Sequence, residues 1–218
     1  MNQLELFCEP VSGYQVKPIK PQYTHHLLLN VHYAHRIPHI TKAFGLFFDS
    51  ELVGVITFGM PASPALCKGV CGEAYKGYVL ELNRLCLVNN LPNEASRLVG
   101  GALRLLKDPF IIVSYADTAQ SHEGIVYRAT NFLYTGLTAS RSEWAVKGLE
   151  HLHSKAISNG TDLASIKEKY GDDFYYRERS RKHRYIIFTG NKTERKAFRN
   201  ALKYQVSPYP QDQTKETK

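Results

Sequence analysis

Three polar residues, Glu81, Asn83 and Arg84, interrupt an otherwise apolar run at 79–88, VLELNRLCLV. A second apolar run, at 110–116, is followed at once by Asp117, Thr118, Gln120, Ser121, His122 and Glu123. A carboxylate at a strand end, such as Asp117, can take a proton from an amine or orient it, and it can equally cap the helix behind it. Arg84 can hold an anion or close an ion pair with Glu81 or Glu73. Imidazoles crowd residues 25–39 as His25, His26, His32, His35 and His39. His32 or His35 either donates one ligand to a metal site completed elsewhere or packs as a core histidine. Tyr127, in IVYRATNF, either packs its ring or works in a site. Cys67 and Cys71 have the spacing of half a zinc site, but no second ligand pair stands at a matching distance, and buried thiols are the simpler reading.

The elements that must position these groups follow from periodicity. Residues 79–88 and 110–116 read as strands, with a polar turn at 89–93 and a helix over about 94–106 between them. That turn delivers the chain to a helix start whose free N–H groups suit an anion. Polar tips at the carboxyl ends of neighbouring strands are where an open α/β sheet keeps its site. Upstream, residues 1–21 read as a proline-punctuated arm with a short alternating piece at Leu4 and Leu6. Residues 22–36 suit a helix with Leu27, Leu28 and Val31 on one face, and Pro38 prevents its continuation. Residues 44–48 and 52–58 flank Asp49-Ser50-Glu51 as a β-hairpin. A glycine-bearing loop (Gly69, Gly72, Gly77) leads into the central strand. Downstream, 132–136 and 184–189 read as strands, 144–148 as an edge pairing, and 163–170 as a short helix ended by Gly171. Asn191 caps a basic amphipathic helix over 191–202, and from Ser207 the tail is too polar to pack.

The totals narrow the classes. A chain of 218 residues with 43% hydrophobic content, 14 Tyr and 10 Phe has ample core for one sizeable domain. We divide it into an arm (1–21), a catalytic domain (22–206) that includes a basic part at about 170–204, and a flexible tail (207–218). No apolar run approaches the roughly 18 to 20 residues that span a bilayer. The N-terminus lacks the charged start of a secretory signal, and four scattered cysteines point to a reducing cytoplasm. The net charge of +8 is concentrated late in the chain, where Arg177, Arg179, Arg181, Lys182 and Arg184 cluster among Tyr175, Tyr176 and Tyr185. That is either a solvated face or the footprint of a polyanion.

A helix, three antiparallel strands, a helix entered through a polar turn, another strand and another helix resembles the Gcn5-related N-acetyltransferase (GNAT) fold. We therefore expect an α+β protein with a GNAT-like mixed sheet flanked by helices and a basic C-terminal extension. In that fold a Gln/Arg-x-x-Gly-x-Gly/Ala turn cradles the pyrophosphate of acetyl-CoA. The matching stretch here, 90–97, has no glycine, and Gly100 and Gly101 lie inside the helix. Ser96 and Arg97 can still serve phosphate oxygens.

Longer strings are more specific: HYAHR at 32–36, GMPAS at 59–63, ELNRLCLVNN at 81–90, NEASRLVG at 93–100, SYADTAQSHEGIVYRATNFLYTG at 114–136 and YGDDFYYRERSRKHRY at 170–185. Over roughly residues 22–209 the chain resembles the Mom family of phage DNA-modification proteins. The resemblance implies an enzyme that converts adenine in double-stranded DNA to its N6-carbamoylmethyl form and so hides phage DNA from restriction in the cytoplasm of a bacterial host. It also implies bound iron. Carried over by position, the family's functional residues fall on His32, beside Tyr33, and on Arg84, Ser96, Asp117 and Tyr127. We take His32, Tyr33, Asp117 and Tyr127 as catalytic candidates, and Asn83, Arg84, Ser96 and Arg97 as binding the donor, be it acetyl-CoA or a relative. His32, Asp117 and Tyr127 are the candidate iron ligands, with Tyr33 and His122 also available. Arg177, Arg179, Arg181, Lys182 and Arg184 are the candidate DNA contacts. An acetyl-CoA-dependent N-acetyltransferase and a non-enzymatic DNA-binding protein are the alternatives.

Overall fold

The computed structural model describes residues 13–150, 152 and 154–210. The alternating piece at Leu4 and Leu6 lies outside them. Strands β1 (Tyr14–Pro18), β2 (Lys42–Phe48), β3 (Glu51–Gly59) and β4 (Val79–Leu87) pair antiparallel in sequence order. The β2–β3 turn is made by Asp49 (φ 46°) and Ser50 (φ 74°), the pair of positive φ values that a two-residue hairpin requires. β5 (Ile111–Asp117) joins β4 in parallel, and β9 (Lys182–Phe188) lies antiparallel between β5 and β6 (Leu133–Leu137). The resulting seven-stranded mixed sheet has the order β1-β2-β3-β4-β5-β9-β6. β7 (Arg141–Val146) and β8 (Phe174–Arg179) form a separate two-stranded sheet.

Alternation along β4 and β5 sends residues to two faces. Leu80, Leu82, Ile112 and Ala116 meet Leu98, Val99 and Ala102 of α3 (Glu94–Leu105) and Tyr127 of α4 (Ile125–Ala129). Val79, Ile111 and Val113 meet Cys67, Val70 and Cys71 of α2 (Pro64–Cys71) and Phe198 of α7 (Lys192–Ala201). On that same side Leu27 and Leu28 of α1 (His25–Asn30) pack on Val55 and Cys86. Helices α5 (Ser154–Ser158) and α6 (Leu163–Tyr170) adjoin the smaller sheet. A large mixed sheet flanked by helices is the architecture expected from the sequence.

Several details differ from the periodicity reading. The helix expected over 22–36 is α-helical only to Asn30. The amides of Val31 and His32 both bond Leu27 O, and His35 takes φ 41°, so the chain folds back and leaves Val31 exposed. The glycine-bearing loop contains α2, capped by Ser63, whose hydroxyl accepts from the Leu66 amide. Cys67 and Cys71, one turn apart on α2, are buried in apolar surroundings. Asn191 caps α7 as expected, in a reciprocal capping box with Glu194. The first residues of the tail are held: the Ser207 amide donates to Tyr134 O, and the Tyr209 hydroxyl to Phe132 O (2.7 Å). The basic part is not an appendage, because β9 sits inside the main sheet.

Candidate active site

β4 and β5 stay paired over four rungs, from Val79↔Ile111 to Leu82↔Ser114, and then part. β4 continues along β3 to Leu87, and β5 continues along β9 to Asp117. The ladder ends where the Ser114 hydroxyl donates to Leu82 O (3.1 Å), satisfying that carbonyl with a side chain. A cavity of about 600 Å³ opens in the fork. Asn83, Arg84, Tyr115, His122, Tyr127, His32 and Tyr33 are among its walls.

A bulge aims Arg84. Thr57 pairs with Arg84 and Phe58 with Leu82, leaving Asn83 as the extra residue of β4. Leu85 and Leu87 therefore resume the α3 face, while Arg84 shares the opposite face with Cys86. The bulge is pinned at both ends of the Asn83 amide, which accepts from Thr57 Oγ1 (2.6 Å) and donates to His39 O (3.0 Å). Asn83 thus borders the cavity with its polar atoms already engaged. Arg84 is different. Nη1 donates to Asn83 O (2.6 Å), but the buried Nε has no partner, and no carboxylate among the described residues pairs with the guanidinium. Burial and the neighbouring Arg36 lower its pKa, partly offset by Tyr33 and Glu81. Glu73, one of the two acids expected to pair with Arg84, binds Lys68 (3.1 Å) and Lys76 instead.

His32 is buried, and its Nδ1 accepts from the Ala34 amide (3.1 Å), so the neutral ring carries its proton on Nε2. Burial, then Arg84, His35 and His122, push its pKa down to about 4. Tyr33 stacks on His32 (4.4 Å between ring centroids), meets His122 edge-on and is half exposed at the mouth. Burial pushes the Tyr127 hydroxyl up to about 12. The fork's floor is therefore lined with groups that offer protons at neutral pH. Glu81, at the third rung, is half-buried, and burial raises its pKa against the pull of Lys182 and Arg84.

The other expected residues stand elsewhere. Asp117 is not part of the cavity wall: its Oδ1 accepts from the Ala119 amide (3.0 Å) and its Oδ2 meets Lys182 (3.2 Å). Burial raises its pKa, but hydrogen bonds from Ser180, Ala119 and Lys182 outweigh that and leave it below the ordinary value. Ser96 and Arg97 line a separate cavity of about 560 Å³ between α3 and α4. The Ser96 hydroxyl is turned back to Asn93 O (3.1 Å), and Arg97 lies over the Tyr14 ring. The start of α3, expected to present amides to an anion, is guarded by Glu94, 3% exposed, which accepts from the Leu91 amide (2.8 Å) and the Tyr14 hydroxyl (2.9 Å). A buried carboxylate there opposes a phosphate.

Iron fits the expected ligands poorly. His32 turns its lone-pair nitrogen to an amide, Asp117 is engaged outside the cavity wall, and Tyr127 holds its proton. Among the described residues no three His, Cys, Asp or Glu side chains group as a metal site. The basic residues are unequal too. Arg177 is bound to Glu143 (2.9 Å) and Glu150 O, and Arg184 to Thr135 Oγ1 (2.9 Å) and O (3.0 Å) while stacked on Tyr204. Arg181 Nε donates to Thr138 O (2.7 Å). Arg179, on β8, approaches Glu143 no closer than 3.9 Å.

The bulge and the Glu94 plug escaped the sequence reading. The bulge had a signal: leucines at 80, 82, 85 and 87 break the period of two by one residue. A family model for the Mom protein family matches residues 13–211. The chain is 30% identical over 176 residues to the "Methylcarbamoylase mom" of Escherichia phage Mu, covering 76% of this chain and 70% of that protein. It is also similar to an N-acetyltransferase of Staphylococcus aureus Mu50 (12% identity, TM-score 0.42, 81% of this chain and 98% of the other). A GNAT-family acetyltransferase of Bacillus cereus ATCC 10987 is comparable (9%, TM-score 0.43, 82% and 99%).

Proposed function

The chain belongs to the Mom protein family, and from that premise we infer that it is a DNA-modifying transferase converting adenine in double-stranded DNA to N6-carbamoylmethyladenine. The modification would shield phage DNA from restriction within a bacterial host. No helix among the described residues is long and apolar enough to cross a membrane.

The observation that carries this reading is the forked cavity, bordered by a guanidinium that no carboxylate among the described residues pairs. The Arg84 guanidinium and the Nε2–H of neutral His32 are donors for a carbonyl or carboxylate oxygen of the incoming group. The adenine amine is a weak nucleophile because its lone pair is delocalised into the ring, so tight positioning carries much of the work. Its N6 lies in the major groove, and reaching it from several sides requires the base to leave the stack. The cavity's mouth offers Tyr33 as a stacking surface. Asp117, held below its ordinary pKa, stays charged, and it acts on the site through its field on Tyr33, because its oxygens are taken by Ala119 and Lys182. Arg179, whose approach to Glu143 is as long as 3.9 Å, is the cation of the cluster best placed to contact the phosphate backbone. No step is assigned to iron, and a CoA pyrophosphate at the start of α3 is opposed by Glu94.

The test is direct. The chain is expressed with plasmid DNA, the DNA is digested to nucleosides, and mass spectrometry reads deoxyadenosine. A carbamoylmethyl increment on deoxyadenosine is expected; unmodified deoxyadenosine beside an acetylated small amine or protein would replace this reading with an acetyltransferase.

A further inference from the structure

Ile125 is the most exposed large hydrophobic side chain among the described residues, at 69%, and it stands on the rim of the forked cavity. Exposed isoleucines are ordinary when scattered. This one is held by unusually firm backbone. Gly124 has φ 74°, and its α-carbon rests so closely on the Tyr185 ring that no Cβ fits. The Tyr185 hydroxyl donates to Glu123 O, and Gly124 O accepts from both Tyr127 N (2.9 Å) and Arg128 N (3.1 Å). Behind it the loop is tied down by His122 N to Asp117 O (3.2 Å) and Ser121 N to Thr118 O (3.0 Å). The buried face of α4 is taken by Tyr127, so Ile125 projects from a fixed base with only Val31 and Tyr33, also exposed, as fellow apolar residues of the rim.

We propose that Ile125 is a wedge that enters the base stack of duplex DNA and fills the gap left when an adenine turns into the cavity. The inference rests on the reading of that cavity as an adenine site. An extruded base leaves an apolar slot between two base pairs, and a rigid β-branched side chain fills such a slot with little entropy to lose. A rim position beside the cavity is where a wedge must stand, because the slot lies next to the base that has left it. Tyr33 is placed to hold the extruded base, and Ile125 keeps it from returning.

The experiment compares two duplexes of one sequence, one fully paired and one with cytosine opposite each adenine of the modified strand, so that those adenines are already loosened. Formation of modified deoxyadenosine is followed by mass spectrometry in an extract of the cell strain in which the wild-type chain modifies plasmid DNA, so that the donor is supplied, for added wild-type chain, Ile125→Ala and Ile125→Leu. Ile125→Ala is expected to lose about 10-fold or more in kcat/KM on the paired duplex, since unpairing is the step it no longer supports, and to approach wild type on the mismatched one. Ile125→Leu is expected to restore the paired duplex. Thermal unfolding of Ile125→Ala should match wild type, as the side chain is exposed. Equal losses on both duplexes, or none on either, would overturn the wedge while leaving the adenine site intact. Absence of modified deoxyadenosine from wild type on both would instead remove the site reading and the wedge with it.

Discussion

Two cavities flank α3 and its neighbouring strands, similar in size and opposite in construction. The fork between β4 and β5 holds a guanidinium whose buried Nε has no partner, beside an imidazole kept neutral by burial. The cavity between α3 and α4 lies next to a buried acid, Glu94, that the chain itself has claimed with an amide and a tyrosine hydroxyl. Both contain arginine and serine or histidine in suggestive positions, so residue type does not separate them. Satisfaction does. Arg84 borders its cavity with no carboxylate to neutralise it, whereas Glu94 is completed by the fold itself.

The sharpest way to break the contrast is Arg84→Ala. Loss of a donor aimed at developing charge should cut formation of modified deoxyadenosine by about 100-fold or more. Arg84→Lys should not restore it, because an ammonium lacks the planar fork. Wild-type turnover in Arg84→Ala would end the distinction.

His32 gives a pH signature of the same region. In the unfolded chain its imidazole protonates below about pH 6.5, while the folded ring refuses the proton until about pH 4. The unfolded state then binds more protons, so stability falls as pH drops through that window, by at most about 3 kcal/mol from this group. Urea unfolding of His32→Phe between pH 7 and pH 4, run beside wild type, should show a shallower decline; identical slopes would mean that His32 titrates normally.

Glu94→Ala should act on stability alone. It strands the Leu91 amide and the Tyr14 hydroxyl, at a cost of about 1–3 kcal/mol read as a lower Tm, with unchanged turnover per folded molecule. An inactive variant of wild-type Tm would make the α3 cavity a site after all.

The smallest effect extends the criterion to the basic strands. Arg179→Ala should reduce the slope of log affinity against log salt by about 1, one unit for the lost phosphate contact. Arg184→Ala should leave that slope in place and lower Tm, because its guanidinium is occupied by Thr135 and Tyr204. A reversed pattern would show that partnered and unpartnered cations are equally available to DNA.

Local order wrote most of the elements legibly. The β2–β3 hairpin, β4, α3, β5 and the Asn191 cap each follow from short-range periodicity or capping chemistry. Where local signals were weak the reading slipped. A glycine at position 69 concealed α2, which persists because its Cys67, Val70 and Cys71 face an apolar cluster supplied by distant strands. The helix carrying His25 and His26 stops early because the His32 amide returns to Leu27 O, the carbonyl that Val31 already uses, and His35 then takes a positive φ.

By itself the sequence determined most of the sheet's strands, the family, and the set of residues from which a site is drawn, since these depend on residue types and on neighbours a few positions away; β1 (Tyr14–Pro18), read as part of an arm, became a strand only by pairing with β2. Only the tertiary structure decided which of them meet. It divided His32, Tyr33, Arg84 and Tyr127 from Asp117 and from Ser96 and Arg97. The reason is geometric: a one-residue bulge at Asn83 turns Arg84 to the opposite face, right where the β4–β5 ladder ends and the Ser114 hydroxyl takes Leu82 O.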